Sequence, residues 1–66
     1  MNVPKSIKVG LAIFEHNQTW LAGKMGVSKA YVSKMCKGGT NISLSRVEQL
    51  AVIFNVKVSE LIKWGE

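Results

Sequence analysis

Between Gln18 and Gly38 the chain carries two short helical patterns separated only by Gly26-Val27-Ser28. That spacing constrains the fold more than any other feature. Leu21, Ala22 and Met25 form the apolar side of the first pattern, and Val32 and Met35 that of the second. Residues three and four apart share a helix face, so each pattern has one side to bury. Gly26 stops the first helix, because glycine enters the left-handed backbone region at no steric cost. Ser28 can accept a hydrogen bond from the free N–H groups that open the second helix, and Val27 plugs the turn. Ala22 is small where the two helices must cross closely. Two helices joined this tightly lock near a right angle.

The rest of the chain also reads as helix, with no convincing strand. Val3, Ile7, Leu11 and Phe14 recur at intervals of four, four and three, which predicts a first helix from about Pro4 to His16. Pro4 suits its first turn, where a missing N–H costs nothing. Val9 and Ile13 form a second apolar pair, so this helix is expected to bury two faces, one of them against the C-terminal helix. Asn17 is the cap of the second helix, Gln18 to Met25, and Ser28 the cap of the third, Lys29 to Lys37. Gly38-Gly39 ends the third helix and a polar loop runs through Asn41. Ser43 caps a fourth, with Leu44, Val47, Leu50, Ala51 and Phe54 as its stripe and Asn55 as a left-handed end. A short fifth helix covers about Val58 to Trp64. The expectation is an all-α, compact five-helix bundle, one domain over residues 1–66.

Composition narrows the class. A chain of 66 residues buries a marginal core, so dimerisation would help it. A lone cysteine, Cys36, excludes an internal disulfide framework. With no apolar leader in Met1–Gly10 and no stretch of ~18 apolar residues, a cytoplasmic protein without a membrane partner is expected. The charge is +5, and between Glu15 and Glu48 there is no acidic residue while Lys24, Lys29, Lys34, Lys37 and Arg46 all fall there. Clustered basicity without interleaved acid is the footprint of a polyanion binder, or equally a solvated lysine face, and where the lysines sit decides between them. Catalysis finds no support: there is no Asp, the four Glu are scattered, and the one His and one Cys form no nucleophile–base arrangement. No metal, cofactor or small-molecule ligand is expected.

The run Gln18–Leu21–Ala22–Met25–Gly26–Val27–Ser28–Tyr31–Val32–Ser33–Lys34–Met35–Gly38 resembles the lambda-repressor/Cro-like (XRE) helix-turn-helix domains. The likeness continues through Asn41, Ser43, Leu44, Leu50, Ala51, Phe54, Asn55-Val56 and Glu60-Leu61-Ile62. Three departures from the family pattern touch none of the residues assigned to DNA below. Glu15-His16 stand where the family usually has a glycine and an apolar residue, an acidic residue is common near Cys36, and Lys57 stands where the last helix is often capped by Ser or Asp.

The resemblance implies a third helix lying in the major groove of double-stranded DNA. With Val32 and Met35 inside, base readout would fall to Ser28, Lys29, Ala30, Ser33 and Lys34. Lysine donates to guanine O6 and N7, serine serves either partner, and the Ala30 methyl can touch a thymine methyl. Gln18 looks like the family's phosphate-gripping glutamine, and Tyr31, Lys37, Thr40, Asn41 and Arg46 would hold further phosphates. Tyr31 could equally pack against the fourth helix or the loop. Trp20 reads as a cover for the first helix, His16 as a solvated helix-end residue, and Cys36 as a buried or half-buried thiol. Leu61, Ile62 and Trp64 read both as core cover and as a dimer surface.

The function so implied is a Cro-like repressor of a phage, prophage or bacterial cell, binding a palindromic operator as a homodimer. The alternatives are a restriction–modification controller, or a protein-interaction module such as the antitoxin half of a toxin pair.

Overall fold

The computed structural model describes residues 2–66. Five helices follow one another: α1 (Val3–Ile13), α2 (Gln18–Met25), α3 (Lys29–Cys36), α4 (Leu44–Ile53) and α5 (Val58–Trp64), with no strand among the described residues. The all-α expectation is met. α1 packs mainly on α5 and also on α3, α2 packs on α3 and α4, and α4 packs on α5. One core runs between them, with Ile7, Leu21, Val32, Met35 and Leu50 fully buried and Leu61 nearly so.

The helices start where short polar side chains accept backbone N–H groups. Asn2 Oδ1 accepts from Lys5, Asn17 Oδ1 from Trp20, Ser28 Oγ from Tyr31 and Ser43 Oγ from Arg46, at 2.8–3.3 Å. α5 alone has no side-chain cap, because Lys57 offers no acceptor. Its start is held by an apolar pair instead. Val56 before the cap and Leu61 after it both pack in the core, in the staple positions that fix a chain's entry into a helix. Val27 with Val32 and Ile42 with Val47 occupy the same positions at α3 and α4.

Ends are equally regular. Gly26 (φ 70°), Gly38 (φ 75°), Asn55 (φ 57°) and Glu15 (φ 57°) are all left-handed. In each case the next N–H reaches back to a carbonyl of the last turn: Val27 to Ala22, Gly39 to Lys34, Val56 to Ala51 and His16 to Leu11, at 2.9–3.1 Å.

Four expectations need correction. α1 ends at Ile13, with Phe14 as its cap and Glu15 turning the chain, so the helix does not reach His16. α3 ends one residue early, with Lys37 as its cap. Leu44 is 69% exposed and leaves the α4 stripe, while Ile42, in the loop before the cap, packs on the core. On α1 the second apolar pair is not buried as a pair: Ile13 is exposed and Val9 only half-buried.

The second face of α1 does meet α5, but through small residues. Ser6 is buried with its hydroxyl donating to Asn2 O, and an added Cβ at Gly10 would lie 2.8 Å from Trp64 Cζ3. Ser6 and Gly10, four apart, make the surface on which α5 lies.

Candidate nucleic-acid interface

Burial of Val32, Met35 and Cys36 fixes the rotation of α3. Ser28, Lys29, Ala30 and Lys34 are consequently exposed and Ser33 is half-buried, all on the side facing away from the core. Ser28 Oγ accepts the Tyr31 N–H at 3.1 Å, which leaves its O–H free to donate outward. The Lys34 stem packs on the loop after the helix: a Cβ at Gly39 would meet Lys34 Cγ at 3.1 Å. Lys34 therefore presents its ammonium from a supported stem.

Around this row stand the residues assigned to phosphate. Gln18 is half-buried as the first residue of α2, just after the Asn17 cap. Lys37 and Asn41 are exposed and Thr40 is half-buried, at the end of α3 and in the loop beyond it. Tyr31 is half-buried with the Arg46 guanidinium 5.5 Å from its ring centroid. Tyr31 thus packs toward α4 through Arg46 while keeping part of its ring at the surface. Arg46 in turn donates from Nη1 to Gln49 Oε1 at 2.8 Å, so Tyr31, Arg46 and Gln49 form one braced unit linking α3 to α4. Gln49 is not among the residues that the sequence singles out, although its i, i+3 spacing from Arg46 is the available signal.

The neighbouring aromatic residues form a separate cluster. His16 stacks on Trp20 with centroids 3.7 Å apart and planes 2° apart, and Trp20 tilts against Phe54 at 6.1 Å. Trp20 is therefore a bridge from the α1–α2 turn to the end of α4, and His16, exposed to solvent as expected, lies flat against its ring. Leu61 is 1% exposed and belongs to the core. It drops out of the expected dimer surface, while Ile62 and Trp64 stay half-buried. Burial pushes the Cys36 thiol above its ordinary range, with nearby Lys8 opposing the shift. That thiol is protonated at neutral pH. No group of three or more His, Cys, Asp or Glu that could hold a metal occurs among the described residues, and no helix there is long and apolar enough to cross a membrane.

This arrangement is two capped helices about a left-handed glycine, a bare outward row on the second and a braced cation beside it. The helix-turn-helix family profile matches residues 16–61, most of the chain. The chain belongs to the helix-turn-helix family. At family level it is a DNA-binding transcription regulator of the lambda-repressor-like class. No curated protein and no solved structure matches it. The helix-turn-helix match begins at His16 and ends at Leu61, so it takes in α2 to α4 whole and leaves α1 outside.

Proposed function

We propose that this helix-turn-helix protein is a sequence-specific repressor of the Cro type, acting in the cytoplasm as a homodimer on a two-fold symmetric operator. Residues 1–66 act as one DNA-binding unit, and α3 lies in the major groove. In this geometry two recognition helices sit about one helical turn apart, ~34 Å. The observation that carries the reading is the outward row on α3, with exposed Lys29, Ala30 and Lys34 set on a helix whose other side is fully buried. Lys29, Ser33 and Lys34 supply donors to base edges, Ala30 supplies a methyl contact, and Ser28 donates from the start of the helix. Gln18, Lys37, Thr40, Asn41 and the Arg46–Tyr31 pair fix the register by holding phosphates. In the dimer, Ile62 and Trp64 meet the second copy. The support for that face is that Trp64 lies edge-on to Phe14, itself 42% exposed, so apolar surface continues beyond α5.

Selection of bound duplexes from a random library, at near-physiological salt, tests the proposal. A palindrome is expected, with Gln18→Ala weakening binding to all sequences nearly alike. Binding without enrichment would make the protein a non-specific binder. No binding would move a protein-partner role, such as that of an antitoxin, to first place.

A further inference from the structure

The first turns of α1 face the end of α3 across an open cleft lined by Pro4, Lys5 and Lys8 on one side and by Cys36, Lys37 and Gly38 on the other. Three of these residues are lysines, from two different elements, and no acidic side chain lines the cleft. Lys5 and Lys8 are three apart on one helix, so their charges are neighbours that repel. Lys37 adds a third from the facing wall. Lys8 is felt across the cleft at the Cys36 thiol, where its charge opposes the effect of burial. The two walls lie close together, since α1 packs on α3 and a Cβ at Gly38 would come within 3.9 Å of Pro4 Cγ. Lys5 is partly engaged, donating from Nζ to the main-chain oxygen of Glu66 at 3.0 Å. Lys8 and Lys37 are exposed. Three exposed lysines around one cleft concentrate positive potential there, and the polyanion that α3 would bring to it is the DNA backbone.

We infer that this cleft is a phosphodiester-binding subsite, in which Lys8 and Lys37, flanked by Lys5, grip a backbone phosphate beyond the stretch read by α3. The inference rests on the DNA-binding reading and extends the contact surface to α1, which lies outside the segment that the family profile matches.

The test is a salt titration of binding to a duplex enriched from the random library and to a scrambled duplex, with wild type, Lys8→Gln, Lys8→Arg and Lys63→Gln. Each neutralised phosphate contributes about 0.9 to the slope of log K against log[salt]. Lys8→Gln is expected to flatten the slope by about that amount on both duplexes, leaving the ratio of their affinities unchanged. Lys8→Arg should restore the slope, and Lys63→Gln, on α5, should leave it as in wild type. A Lys8→Gln slope equal to that of Lys63→Gln would overturn the subsite. So would inorganic phosphate that saturates the α1 amide shifts in the free protein while the Lys8→Gln DNA slope stays unchanged, which would make this a site for the free anion. Failure of the wild type to bind either duplex would overturn the DNA reading itself, and is seen before any variant is made.

Discussion

The α2–α3 pair and the α1–α5 pair solve the same packing problem in opposite ways. α2 and α3 pack on each other around a three-residue turn, burying bulky Leu21, Met25, Val32 and Met35 beside the small Ala22, and leave α3's other side to polar and cationic residues. α1 and α5 meet through the small Ser6 and Gly10, with Phe14, Phe54 and Trp64 gathered at one end, their centroids 5.8–6.1 Å apart. The first pair is built to present a surface, the second to close the bundle. Substitutions in the core of either should therefore move stability, while substitutions on the outer row of α3 should move base preference and little else.

The largest effect that sharpens this comparison is at Leu21, which is fully buried. Leu21→Ala should cost about 2–5 kcal/mol, set against a total of roughly 3–10 kcal/mol for a domain of this size. Urea unfolding reads it, and an unchanged midpoint would contradict the core assignment. In the closing pair, Gly10→Leu forces the Trp64 and Phe54 rings aside and should cost about 1–3 kcal/mol by overpacking. Thermal unfolding should fall, yet the ranking of DNA sites should stay as in wild type. A changed ranking would erase the division between the two pairs. On the reading face, Lys29→Ala or Ser33→Ala should each lose about 1–3 kcal/mol of discrimination between DNA sites. Their melting temperatures should stay close to that of wild type.

Two smaller gains concern the backbone. Glu15 holds a left-handed conformation that costs a residue with a Cβ about 1–2 kcal/mol, so Glu15→Gly should raise stability by up to about 1 kcal/mol. Gly23 lies inside α2 with nothing within 4 Å of where a Cβ would stand. Gly23→Ala should therefore gain about 0.8–1 kcal/mol from helix propensity alone. Either variant melting below wild type would show that the position has a role its surroundings do not reveal.

The two pairs also differ in how far their sequences reveal them. The α2–α3 unit was legible because each of its rules is local: a serine at a cap, a glycine at a left-handed end, apolar residues at three and four. The end of α1 was misread because Glu15 does there what glycine usually does, while Phe14 continued the apolar period. Leu44 sat in the right register for burial, but its place at the first turn of α4 left it outside the core. Leu61, Ile62 and Trp64 read alike as core cover and dimer surface, because a short C-terminal helix gives no sign of which apolar residue points inward; only Leu61 is fully in the core. The Arg46–Gln49 half of the α3–α4 brace follows a local i, i+3 rule, but the Lys5–Lys8–Lys37 cleft depends on which helices meet, and no local rule supplies that.

The central claim is that α3 reads bases through its outer row. The most direct measurement is parallel site selection with wild type and Lys29→Ala from the same random duplex library. A palindrome is expected for wild type, and for the variant a loss of preference confined to symmetry-related positions in both half-sites. The same palindrome with undiminished preference at every position, from a variant that folds and binds, would contradict it.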